Sequence, residues 1–118
     1  MPASAEFLDF LKEQMADFAA VTPRRMFGGA GLFRDGLMFA LVSDDVLYLK
    51  SDAQSAAAFA AENLLPFAYA AKHGRRTIMS YHRAPERCLD DPAEMTQWCR
   101  IAWDATLRAR PPKRSRNA

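Results

Sequence analysis

The sequence predicts an α+β fold, an antiparallel five-stranded sheet in α-β-β-β-α-β-β-α order with the helices packed on the sheet. Three observations lead there. Apolar residues recur every three to four positions near both ends of the chain, the spacing of an amphipathic helix. Between those ends the apolar period falls to two, and turn dipeptides cut the strands into hairpins. Strands and helices do not alternate singly, so no βαβ unit is indicated.

Residues 5 to 19 read as the first helix, with Phe7, Leu8, Leu11, Met15 and Phe18 on one side, Ser4 as N-cap and Thr22-Pro23 as the exit. Strands follow over 24 to 34, 37 to 43 and 46 to 50. Asp35-Gly36 is a strong two-residue hairpin signal, because a type I′ turn needs positive φ at both central residues; Asp44-Asp45 is a weaker one. Two two-residue turns place Phe33, Met38, Ala40, Val42, Leu47 and Leu49 on one sheet face. Leu32, Leu37, Phe39, Leu41, Val46 and Tyr48 then share the other, beside Arg34 and Lys50.

Ser51-Asp52 is positioned to cap a short alanine-rich helix over 53 to 62. Residues 67 to 72 and 75 to 82, joined at His73-Gly74, form a second hairpin. Asp91, Pro92 and Glu94 give the last helix an N-cap, a first-turn proline and the spacing of a capping box. Its apolar stripe is Met95, Trp98, Cys99, Ala102, Trp103 and Leu107, and Pro111-Pro112 ends it.

With 118 residues, 50% hydrophobic and 11% aromatic, the chain suits one packed domain over 1 to 110. Residues 111 to 118 read as a basic disordered tail. Charge is uneven: residues 1 to 107 carry 11 basic and 14 acidic side chains, while 108 to 118 carry five basic ones and no acid. No apolar run reaches the roughly 20 residues of a membrane span, and the N-terminus lacks a secretory pattern. Cys88 and Cys99 read as thiols of a reducing cytoplasm. No cofactor, metal or catalytic residue is indicated. His73, His82, Cys88 and Cys99 lack metal-ligand spacing, and no serine or cysteine stands in a nucleophile-elbow context.

The stretch RRMFGGAGLFRDG poses the one real choice. Gly29 and Gly31 match the start of a dinucleotide-binding loop, but Arg34 replaces its third glycine and no helix follows. The reading is therefore a bulged or bent strand whose glycines (Gly28, Gly29, Gly31, with Gly36 in the next turn) serve backbone geometry.

The run from Arg24 to Lys50, including Met-Phe-Gly-Gly and Leu-Tyr-Leu-Lys, resembles the TfoX N-terminal domain family (TfoX/Sxy). Met79-Ser80-Tyr81, Pro85-Glu86 and a final Trp-containing helix are similar to the rest of that domain, so the likeness spans about residues 5 to 110. It implies a stand-alone N-terminal domain without the C-terminal helical domain of the competence regulators, which act as coactivators alongside the cyclic-AMP receptor protein. It supplies no catalytic residues.

The function expected is a non-enzymatic protein-interaction module, of the kind used by a transcriptional coactivator or regulator. The candidate interaction surface is Arg24, Arg25, Arg34, Phe39, Tyr48, Arg75 and Arg76. Strong sheet curvature, a homodimer or a protein partner (the transcription machinery, as the resemblance implies) is expected to cover the second apolar sheet face, a homodimer being favoured. The alternative is a nucleic-acid-binding accessory protein using the basic tail and the arginine pairs, with weak and non-specific contact.

Overall fold

The computed structural model describes residues 3–26 and 28–110. The basic tail expected over 111–118 lies outside the described residues. The elements run α1 (Ala5–Gln14), β1 (Thr22–Met26), β2 (Gly29–Arg34), β3 (Leu37–Ser43) and β4 (Val46–Lys50). Then come α2 (Ala56–Ala61), β5 (Pro66–Ala71), β6 (Gly74–Arg83), a 3₁₀ turn (Glu86–Leu89) and α3 (Pro92–Ala109). The fold is α+β, with one antiparallel sheet in the order β1-β2-β3-β4-β6-β5.

The sheet has six strands, not five. The stretch 24 to 34 is not one bent strand: it folds back on itself at Gly28, where φ is +78°, and Met26 pairs with Gly29. Glycine meets that φ without the Cβ clash that penalises other residues. Gly29 answers a different demand. A Cβ there would collide with the backbone carbonyl of Val42, so the β2–β3 approach requires its absence. At Gly31 a Cβ would meet the Met38 sulfur at 2.6 Å, the Phe33 ring edge at 3.0 Å and the Met26 methyl at 3.2 Å, all side-chain atoms.

Both expected hairpin turns form. Asp35 and Gly36 have φ of 51° and 79°, and Asp44 and Asp45 have 56° and 54°, the positive values a type I′ turn needs. The second turn uses no glycine, and Asp45 holds it partly through its carboxylate, which accepts the Ser4 amide at 2.7 Å. The face assignment fails for a local reason. Leu32 pairs with Ala40 but Phe33 with Met38, so Phe39 is an extra residue bulged out of the ladder. Phe39 and Ala40 both point inward as a result, and Phe33 and Leu32 exchange the faces expected for them.

All three helices cover the same side. Leu8, Leu11, Met15, Leu32, Phe39, Val42, Leu49, Phe59, Met95 and Trp98 belong to one buried cluster. Phe39 sits at its centre, 5.2 Å from the Phe18 ring and 6.3 Å from the Trp103 ring. The alanine-rich α2 does not cover the opposite face. It joins the other helices instead, because its one large side chain, Phe59, packs 5.2 Å from both His82 and Trp98.

Caps and surface pairs fix the helices. Ser4 accepts the Phe7 amide at 3.1 Å, as expected, but α1 ends at Gln14 and the chain continues in turns through Phe18. Asp91 caps α3 through the Ala93 amide at 2.9 Å. Glu94 does not close a capping box; it binds Arg87 at 2.8 Å, and Arg87 also grips Glu62 at 2.6 and 2.8 Å. The Ser51-Asp52 cap is displaced too, since Asp52 accepts the Ser55 amide at 3.0 Å ahead of α2. Its carboxylate also takes two bonds from Arg108, at 2.7 and 2.9 Å, and these charged donors hold its pKa at about 2. The seam between β4 and β6 has only three residue pairs: Tyr48–Arg83, Leu49–His82 and Lys50–Tyr81.

The glycine environments make a graded prediction. Gly29→Ala must displace backbone and is expected to cost more than about 3 kcal/mol. Gly31→Ala, which displaces two thioether ends and the half-buried Phe33 ring but no backbone, is expected to cost about 1 to 2 kcal/mol. Urea unfolding of the two variants checks the order, and equal destabilisation would contradict it.

Candidate interaction surface

With the helices on one side, the other face of the sheet carries no helix among the described residues. Strand alternation places Met26, Phe33, Met38, Leu41, Tyr48 and Phe67 there, all half-buried and all outside the core cluster. Tyr48 and Phe67 meet across β6, 4.9 Å between centroids, and Tyr69 continues the row 5.8 Å beyond Phe67. Tyr69 is 43% exposed. An apolar row of this kind is larger than the isolated apolar residues a surface ordinarily shows.

Cations border the row. Arg24 lies over the Phe33 ring at 5.3 Å, and Lys50 over the Tyr81 ring at 5.1 Å. Burial pushes the Tyr81 phenol above its ordinary pKa. Arg76 stands directly opposite Tyr69, and Arg83 opposite Tyr48.

The residues singled out by sequence divide between the two sides. Arg24, Tyr48 and Arg76 share the helix-free face, though Arg24 on β1 lies four strands from Arg76 on β6. Arg25 points the other way and donates to the Ala3 carbonyl at 2.7 Å. Arg34 does not flank Tyr48; its guanidinium lies 4.9 Å from the Phe18 ring and 4.7 Å from the Trp103 ring. Phe39 is fully buried and belongs to the core, not to the surface. Arg75, adjacent to Arg76 on a strand, faces the opposite side, so neither arginine pair makes a joint basic patch. Sequence reasoning missed Phe33, Phe67 and Tyr69. The alternation in Pro66–Ala71 was the available signal for the last two.

One further constellation resembles a nucleophile and base. The Ser51 hydroxyl lies 2.6 Å from His82 Nδ1. Ser51 is only 2% exposed and its hydroxyl also donates to the Met79 carbonyl at 3.3 Å, so the pair braces the β4–β6 seam. Burial lowers the His82 pKa. Both cysteines are buried, with the Cys88 thiol pushed up to about 12, which removes thiolate reactivity. Among the described residues no group of three or more His, Cys, Asp or Glu is placed to hold a metal ion. No helix among them is long and apolar enough to cross a membrane.

Comparison with known proteins places this architecture. The family model "TfoX N-terminal domain" matches residues 13–106. The chain belongs to the TfoX N-terminal domain family. It is 28% identical over 105 residues to Protein Sxy of Escherichia coli (strain K12), covering 89% of this chain and 50% of Sxy. The chain thus spans about half the length of that curated relative. The matched region of this TfoX N-terminal domain holds β1 to β6 and therefore the whole helix-free face.

Two outcomes separate surface from core in the TfoX N-terminal domain. Phe39→Asp is expected to abolish folding, because it removes the fully buried ring packed between Phe18 and Trp103 and puts a carboxylate in its place. Tyr48→Asp should leave the chain folded, lowering its unfolding free energy by about 1 to 2 kcal/mol through loss of the Phe67 ring contact. Circular dichroism with urea titration distinguishes them.

His82 gives a pH dependence. Its folded pKa lies below its unfolded value of 6.5, so the unfolded chain binds the proton first as pH falls. Stability is therefore full above about pH 6.5 and declines below it, toward the folded pKa. His82→Gln should flatten the slope between pH 7.5 and 5, measured as the shift in urea midpoint.

Proposed function

We propose that this chain is a non-enzymatic protein-interaction module of a transcription regulator, working in the cytoplasm. The observation that carries the reading is the helix-free sheet face, where Leu41, Tyr48 and Phe67 form an apolar surface bordered by charge. A central apolar patch with a polar rim is the anatomy of a protein–protein contact. Family membership supports the regulatory part, because the match to the TfoX N-terminal domain and to Protein Sxy fits a family of competence regulators. Buried, unreactive thiols suit a reducing compartment.

A photo-crosslinking amino acid at position 48, in the full chain expressed in its native host, tests this. Adducts with a protein of the transcription apparatus are expected, at least fivefold above those from a crosslinker at Arg100 on α3. Adducts to nucleic acid alone, or equal yields from both positions, would overturn the reading.

A further inference from the structure

Charge in this fold is sorted by layer. The six strands contain seven basic side chains and no acidic one, while all 14 acidic residues lie in helices, turns and connectors. On the helical side Arg25 is engaged by a carbonyl and Arg34 by two aromatic rings, while Arg75, exposed on the β5–β6 hairpin, has no carboxylate within salt-bridge distance among the described residues. On the helix-free side, Arg24, Lys50 and Arg76 have no carboxylate within salt-bridge distance among the described residues. Arg83 has only the exposed Glu86, at 3.4 Å.

We propose that the helix-free sheet face docks an acidic amphipathic helix of another protein. This rests on the protein-interaction reading above and adds the chemistry of the partner. The apolar row from Phe33 to Tyr69 takes the partner's hydrophobic stripe, and Arg24, Lys50, Arg76 and Arg83 meet its flanking carboxylates. Unlike charges across a rim raise the encounter rate and set orientation. Six strands at a spacing of about 4.8 Å make a sheet about 24 Å wide. A helix of about 16 to 18 residues, rising ~1.5 Å per residue, crosses it fully.

The same observations disfavour the other occupants. A second copy stacked on this face would bring the four cations of one protomer against those of its partner, a like-charge contact with no carboxylate between the strands. Single-stranded nucleic acid needs open, flat rings on which bases stack. Here Arg24 already lies over Phe33, and Tyr48 meets Phe67 at 63°, edge against face. Leu41, Met26 and Met38 fill the intervening surface with aliphatic side chains, which suit an apolar helix stripe better than bases.

The test uses three fluorescein-labelled probes with the full chain: an 18-residue helix with Leu and Phe on one face and Glu on the other, its Lys counterpart, and a twelve-residue oligothymidine. The Glu helix should bind saturably with Kd in the range of about 10–100 µM, shifting amides of β3, β4 and β5. Charge reversal by Lys50→Glu with Arg76→Glu should weaken it at least tenfold, while Arg100→Glu on α3 changes it less than twofold. Unchanged urea midpoints establish that the variants fold. No saturable binding of the Glu helix by 1 mM, equal binding of the Lys helix, or shifts confined to α1 and α3 would overturn this proposal and leave the broader reading to the crosslinking result. Sedimentation showing a dimer whose contact shifts the same strands would do the same. Oligothymidine binding to the sheet face more tightly than the Glu helix would overturn both.

Discussion

Phe39 occupies the one place in β3 where two consecutive residues turn inward, and the two-sided character of the molecule follows from it. The bulge lets β3 present Phe39 and Ala40 together to the helices, then resume alternation with Leu41 outward and Val42 inward. Phe39 thereby fills the space between Phe18 and Trp103, joining the end of the first helical segment to α3. Without the extra residue, Phe33 would face the helices and Leu32 the solvent. The bulge therefore decides which apolar residues hold the fold together and which remain available on the surface.

Much of the fold was legible because the informative signals are local. Ser4 and Asp91 cap the helices expected of them, and Asp35-Gly36 and Asp44-Asp45 form the turns their side chains favour. The α+β class and antiparallel pairing followed from those turns and the change of apolar period. The missed features depend on partners distant in sequence. No local signal announces that Phe39 bulges, since its energetic reason lies in Phe18 and Trp103. Gly28 was read as part of a bend, because a strand pair so short offers little alternation to recognise. The candidate surface was half legible: Tyr48 and the neighbouring cations were visible, but their grouping required the register. Arg34 shows the risk, since one position along a strand separates a rim cation from one stacked under the helices.

The layered charge has a physical counterpart in how each layer is stabilised. The helical layer is cross-linked by ion pairs at its surface, Arg87 with Glu62 and Glu94, and Arg108 with Asp52. These pairs are solvent-exposed enough to be individually weak, and they act chiefly to orient α2, the 3₁₀ turn and α3 against one another. The sheet uses no such pairs between its strands. Its cohesion comes from the backbone ladder and the buried side chains of one face, so its other face is free to carry charge of one sign.

The narrow β4–β6 seam gives the sheet an internal line of weakness. Three residue pairs join a four-stranded meander, β1 to β4, to the β5–β6 hairpin, helped by Ser51 with His82, by the Ser51 amide on the Ser80 carbonyl at 2.8 Å and by the Ala84 amide on the Leu47 carbonyl at 3.0 Å. Segments with few shared contacts open as units at less than the global free energy. Hydrogen exchange in the hairpin is then governed by partial opening, and in β2 to β4 by complete unfolding. The Tyr48–Phe67 contact bridges this line from the helix-free side. A molecule bound over both rings would clamp the two halves together, so occupancy of the surface would be felt as increased cooperativity of the entire sheet.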